Sequence, residues 1–200
     1  MQVTILKKHI KDVDIYILDQ ILKDRYQKGA KILEAGCGNG RNLKWFYKPE
    51  YEIFGTDLNI ERIKSCQKLY NKQQDNFMEA SAEQMPFDSK SFDHVICIAV
   101  LHFANNLNQF LKMFNELLRI LKPQGSLLIR TATNIGIENK VEFIKDGVYK
   151  LPDGSTRFLV DAEILDKIQS RNDIALLENV KTTIVQNKRA MLTLVIKKVT

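Results

Sequence analysis

Apolar residues in this chain follow two alternating rhythms. Short runs such as Lys31 to Ala35, Glu52 to Asp57 and Phe92 to Ile98 are bounded by polar or turn residues and read as strands. Between them apolar positions recur at helical spacing. The first helical stripe covers residues 9 to 28, with Ile10, Val13, Ile17, Ile21 and Leu22 on one face and Gly29 placed to end it. The order then predicted is strand 31–35, helix 40–48, strand 52–57, helix 59–71, strand 75–79, short helix 81–85, strand 92–98, helix 106–122 and strand 125–132. A helix over 162–171, capped by Asp161 and with Glu163 and Asp166 in its early turns, leads to β-rich runs near 176–186 and 189–198. Gln186-Asn187-Lys188 between those runs signals a hairpin. Strands alternating with helices imply a parallel sheet covered on both faces, an α/β fold.

Residues 133–160 follow neither rhythm. They hold Gly136, Gly147 and a Pro152-Asp153-Gly154 turn. A connection of that length is usually functional. It reads as a cover over the substrate, with Tyr149, Arg157 and Phe158 the side chains most able to reach it.

The chemistry concentrates between Lys31 and Asn42, where the chain reads K-I-L-E-A-G-C-G-N-G-R-N. An acid, Glu34, closes the strand, and Gly36, Gly38 and Gly40 follow on alternate positions around Cys37. Residues without a Cβ let a ligand approach free backbone amides at a strand-to-helix bend. A dinucleotide fingerprint would space its glycines G-x-G-x-x-G; here Arg41 takes the third position. Glu34 would also sit beside a pyrophosphate. A ligand with a positive end and no phosphate suits the site better. Asp57, closing the second strand, either caps the helix starting near Asn59 or accepts hydrogen bonds from ribose hydroxyls, and its distance from the glycine loop favours the ribose.

With these residues in order, the chain resembles the class I S-adenosylmethionine-dependent methyltransferases, and within them the type 11 group. Four further segments carry the likeness. Ser81-Ala82-Glu83-Gln84-Met85-Pro86-Phe87 is similar to the D-A-E-x-L-P-F motif that lies along the adenine. Asp88 to Ile96 is similar to D-x-S-F-D-x-V-h, Ile98 to Phe103 to the A-L-H-H segment after the fourth strand, and Leu121 to Ile129 to L-K-P-G-G-x-L-h-I. The likeness spans residues 30 to about 131. Two positions depart from it. Ser81 replaces an aspartate and offers the adenine amino group a weaker acceptor, and Gln124 replaces the first glycine of a turn.

The resemblance implies a Rossmann-like doubly wound seven-stranded sheet, order 3-2-1-4-5-7-6, with the last strand antiparallel. It divides a single domain into a lid helix (1–29), a cofactor-binding core (30–132), the substrate-facing cover (133–160) and a C-terminal helix and hairpin (161–200). It implies S-adenosyl-L-methionine as cofactor, held by Glu34, Gly36, Cys37, Gly38, Gly40, Asp57, Leu58, Ser81, Ala82, Glu83, Ile98 and Ala99. Tyr16 on the lid helix either reaches the substrate or packs. His102 suits a general base for a hydroxyl or thiol, or a histidine bonded to loop backbone. Arg130 suits a substrate carboxylate or phosphate, or a strand-edge charge. The stretch Ala99-Val100-Leu101-His102 stands where enzymes methylating exocyclic base amines carry N/D-P-P-Y, which argues against that chemistry.

Composition narrows the rest. A hydrophobic content of 44% over 200 residues suffices for one sizeable core. No apolar run is long enough for a membrane span, and the N-terminus lacks a signal-peptide pattern. Cys37, Cys66 and Cys97 have no metal-ligand spacing and read as reduced thiols, so the expected location is cytoplasmic and no metal site is expected. The net charge of +6 invites a nucleic-acid reading. Yet lysines are scattered among acids, with local excess only at Lys7, Lys8 and Lys11 and at Lys181, Lys188, Arg189, Lys197 and Lys198, which favours a solvated surface. The expected acceptor is a small molecule. The alternatives are a tRNA wobble-uridine side chain, a tellurite or thiol acceptor (the stretch C-G-N-G-R-N resembles that group), and a non-catalytic subunit that binds the cofactor and activates a partner.

Overall fold

The computed structural model describes residues 10–200; Lys7, Lys8 and the first position of the expected leading helix lie outside the described residues. That helix is shorter than its apolar stripe: α1 spans Ile15–Leu22. Asp14 starts it by accepting a hydrogen bond from the Tyr16 amide. Asp24, left-handed at φ 53°, ends it, and Gly29 at φ 83° instead turns the chain into the first strand.

Strands β1 (Lys31–Ala35), β2 (Glu52–Asp57), β3 (Phe77–Glu79), β4 (Phe92–Ile98) and β5 (Leu121–Thr133) lie parallel in the order β3-β2-β1-β4-β5, with α2 (Ile60–Leu69) and α3 (Leu107–Ile120) among their crossovers. The chain then forms β6 (Glu142–Lys145), β7 (Val148–Lys150), β8 (Thr156–Phe158), α4 (Ala162–Gln169), β9 (Ile174–Leu176), β10 (Lys181–Val185) and β11 (Arg189–Lys198). β11 returns antiparallel to β5, and β9 and β10 both pair with its other edge. The expected strand order is present, with its sixth place shared by two short strands, so the sheet has eight strands. The break falls where Glu178 bonds Gln20, Lys23 and Lys181.

Both faces of the sheet are buried, as parallel strands require. Leu33, Val95, Cys97 and Leu127 pack toward α3 and α4, while Ile32, Ile96, Leu128 and Val195 pack toward α1, Leu43, Phe46 and Ile63.

Three expected elements differ. The helix at 40–48 is only a 3-10 turn at Arg41–Leu43. Pro49 disfavours α conformation at Lys48, so a helix has no room before β2. The short helix at 81–85 is a turn closed by a Ser81–Gln84 bridge ahead of Pro86. The stretch 133–160 contains a three-stranded meander, β6-β7-β8. Its first turn, Asp146-Gly147 at φ 48° and 83°, is the left-handed pair that a tight hairpin demands. Asp-Gly between alternating apolar residues was the available signal for it.

Candidate active site

The glycines of the first loop do three different jobs. At Gly36 (φ 72°) a Cβ would lie 2.2 Å from Val100 Cγ2, so this glycine lets the β1 and β4 turns meet. At Gly40 (φ 74°) a Cβ would lie 2.7 Å from Tyr70 Cε2, and the Tyr70 hydroxyl donates to the Gly40 carbonyl. Only at Gly38 (φ 54°) is the Cβ position open, with nothing within 4 Å. Its amide donates to Asp57 Oδ2 at 2.9 Å, while Asp57 Oδ1 accepts from the Asn59 amide at 2.9 Å. The carboxylate thus holds two loops together and keeps acceptor capacity to spare.

Below the loop, Glu34 is 2% exposed. Asn42 Nδ2 donates to its Oε1 at 2.6 Å, and its Oε2 is buried without a partner. Burial, opposed by the Asn42 bond, pushes its carboxyl up to about 8. Asn42 Oδ1 in turn accepts from the Asp14 amide, and Asp14 Oδ2 lies 3.4 Å from Arg130 Nη1. Through this chain of contacts α1 is tied to the glycine loop and to the end of β5.

Two cavities open above the carboxyl ends of the strands. The first, about 630 Å³, is lined by Gly36, Asp57, Leu58, Ser81, Ala82, Glu83 and Ala99, with Asn59, Arg62, Val100 and Phe103. Leu58 is 72% exposed there and offers an apolar wall. Ser81 Oγ accepts from the Glu83 amide, and Glu83 is held by Gln109 and Lys112.

The second cavity, about 460 Å³, is lined by Ala99, His102, Phe103, Arg130, Arg157 and Arg189, among others. His102 is 8% exposed and its Nδ1 has no hydrogen-bond partner. Burial, then the nearby Arg157 and Arg189 cations, hold its imidazole down to about 4. It stays neutral near pH 7. Ala99 and Phe103 belong to both cavities. Ala99, at φ 60°, is strained for a residue with a Cβ, and its amide donates to the Arg130 carbonyl at 2.8 Å.

Residues 33–129 match the family described as a methyltransferase domain. This segment is a methyltransferase domain of the type 11 family. The chain is 32% identical over 149 residues to a phthiotriol/phenolphthiotriol dimycocerosates methyltransferase of Mycobacterium leprae, covering 72% of this chain and 52% of that one. It is 38% identical over 101 residues to a tRNA (carboxymethyluridine(34)-5-O)-methyltransferase of Arabidopsis thaliana, covering 50% of this chain and 24% of that one. The chain therefore spans about half or less of these relatives' length. Among solved structures, a SAM-dependent methyltransferase from Methanosarcina mazei superposes with a TM-score of 0.72 at 19% identity, over 90% of this chain and 97% of that one.

The cofactor that the methyltransferase family implies, S-adenosylmethionine, suits the first cavity. Asp57 has acceptor capacity for ribose hydroxyls, and Leu58 and Ser81 flank room for an adenine, while Gly38, whose Cβ position is open, lies beside the cavity and does not line it. Glu34 Oε2 is buried without a partner and does not line this cavity. Of the residues expected at the cofactor, Gly36, Asp57, Leu58, Ser81, Ala82, Glu83 and Ala99 share the cavity wall. Glu34, Cys37, Gly40 and Ile98 lie behind it: the Cys37 thiol faces Cys66 at 3.9 Å, and Ile98 is in the core.

Arg130, Arg157 and His102 all line the second cavity. The other substrate expectations need correction. Phe158 is wholly buried and stacks on Phe110, because β8 turns it into the core. Tyr149 lines a separate hollow with Phe143 and Asp161. Tyr16 lies 5.1 Å under the Arg130 guanidinium and bonds Thr183 Oγ1, so it positions the arginine without lining the cavity. Arg62 and Arg189 were missed. Arg62 lies one helical turn past Asn59 and could have been found from that spacing, whereas nothing local marks Arg189, which reaches the cavity from the β10–β11 turn. The C-terminal basic group is partly engaged: Lys181 pairs with Asp19 and Glu178, Arg189 with Asp153, and Lys198 donates to the Leu118 and Leu121 carbonyls, while Lys188 and Lys197 have no acidic partner among the described residues. Among the described residues no helix is long and apolar enough to cross a membrane.

Proposed function

We propose that this protein transfers the methyl group of S-adenosylmethionine to a small-molecule acceptor. The cofactor occupies the cavity at Gly36 and Asp57, and the acceptor the cavity at His102 and Arg130. The single observation that carries this reading is the shared wall at Ala99 and Phe103, because in-line displacement needs two ligands to meet at one place. Reduced, buried cysteines agree with a cytoplasmic location. The cofactor supplies the electrophilic carbon and the leaving group. The protein's own tasks are to orient the acceptor, to hold α1 against the loop through Asp14 and Asn42, and to keep water out.

His102 belongs to acceptor binding more than to proton removal, since an imidazole titrating at about 4 is a weak base. The 38% identity to a tRNA methyltransferase supports a tRNA acceptor as a second reading. The pairing of Lys181 with Asp19 and Glu178 and of Arg189 with Asp153 counts against it.

Calorimetric titration with S-adenosylhomocysteine tests the cofactor site. Wild-type protein binds one equivalent, and Asp57→Ala loses roughly 1–3 kcal/mol by leaving donors unpaired. Equal affinity in both proteins would place the ribose elsewhere. Retention of tRNA that weakens steeply with salt would favour the second reading.

A further inference from the structure

The acceptor cavity has a charge that its cofactor neighbour lacks. Four cationic side chains, Arg130, Arg157, Lys188 and Arg189, line it against one carboxylate, Asp153. That carboxylate is already engaged: the Ser155 hydroxyl and amide, and then Arg189 at 2.5 Å, hold it down to about 2. Arg157 and Lys188 have no acidic partner among the described residues. Two buried groups here also lack hydrogen bonds: the Arg130 Nε–H and His102 Nδ1. A buried guanidinium N–H without an acceptor costs free energy that an arriving anion would recover.

The cations bracket the shared wall. Arg130 stands opposite Ile98 in the β4–β5 register, and its carbonyl holds the Ala99 amide. The Arg157 guanidinium lies 4.9 Å from the Phe103 ring centre. An oxyanion bound between these two arginines therefore sits at the junction of the cavities and not at a distant anchor. Apart from Gln186, the remaining lining, including Ala132, Leu151, Val185 and Met191, is apolar and suits a hydrocarbon body.

Resting on the two-cavity reading above, we propose that the acceptor is a carboxylic acid with an apolar body, and that its carboxylate oxygen is itself the nucleophile, giving a methyl ester. One carboxylate oxygen forms a bond to the methyl carbon while the carbon–sulfur bond breaks and its electron pair stays on sulfur. Carboxylate and sulfonium become a neutral ester and a neutral thioether, and no proton is released. The step therefore asks for no general base, in keeping with a histidine that burial keeps neutral and weakly basic. Pairing with guanidinium lowers the nucleophilicity of the anion, and the return is orientation, the larger effect when two ligands must be aligned.

The test loads the full chain with S-adenosylhomocysteine and titrates it with octanoate, dodecanoate, benzoate and 3-phenylpropanoate, each beside the alcohol of the same skeleton. At least one acid is expected to bind tenfold or more tightly than its alcohol. Arg157→Gln removes most of that preference, Arg157→Lys keeps part of it, and affinity for S-adenosylhomocysteine stays unchanged. With methyl-labelled S-adenosylmethionine the same acid yields a product that releases labelled methanol in mild base. Equal binding of acids and alcohols across the set, or a base-stable methylated product, overturns the carboxylate assignment while leaving the cofactor site standing. Failure to bind S-adenosylhomocysteine at all overturns both.

Discussion

The two cavities meet at one wall but are built differently. The cofactor cavity is lined by residues between Gly36 and Met113, and it carries both acids and a cation: Asp57, Glu83 and Arg62. The acceptor cavity gathers residues from Ala99 to Met191, from the end of β5, the β7–β8 turn and the β10–β11 turn, and is dominated by cations. One half is assembled from neighbouring loops at strand ends. The other exists only because three distant turns converge. The contrast implies that damage to the first should be lost in folding or cofactor affinity, and damage to the second in acceptor affinity and pH response.

The largest expected effect separates packing from binding within the glycine loop. Gly36→Val forces a side chain into Val100 at a left-handed backbone position and is expected to cost about 3–5 kcal/mol of stability by urea unfolding. Gly38→Val, with open space around it, is expected to cost only about 1–2 kcal/mol yet to abolish S-adenosylhomocysteine binding. Equal destabilisation by the two would mean that Gly38 is also a packing residue.

The next effect uses opposite titrations on the two sides. Burial raises the Glu34 carboxyl to about 8, so its neutral form contributes stability that is complete below the ordinary 4.5 and lost as pH rises through 8. His102 is held down to about 4, so its neutral form contributes stability complete above the ordinary 6.5 and lost as pH falls from there toward 4. Glu34→Gln should therefore raise stability at pH 8 by on the order of 1–3 kcal/mol and have little effect at pH 4.5. His102→Gln should flatten the decline below pH 6.5, leaving the share that belongs to His94, which burial also holds at about 4. Unfolding measured across pH in the two variants checks both; parallel profiles would remove the distinction between the sites.

The smallest effect concerns the link between them. Tyr16→Phe removes the bond to Thr183 and loosens the ring under Arg130. It should cost about 1 kcal/mol of stability and raise KM for the acceptor while leaving S-adenosylhomocysteine affinity intact. A loss of cofactor affinity instead would make α1 a cofactor lid.

Much of this was legible in the residues themselves. Apolar runs mark the central strands, since a strand buried on both faces must be apolar throughout, and Lys31 to Asn42 with Asp57 mark the glycine loop and the acid that ties it to the end of β2. These are local demands, and sequence by itself determined them. Tertiary structure alone decided which glycine is free of packing contacts, that Phe158 points into the core, and that Arg189 joins Arg130 and Arg157 around His102. Side-chain direction at a turn depends on what packs beneath it, and charges far apart in the chain become one field only when the sheet edge brings their loops together.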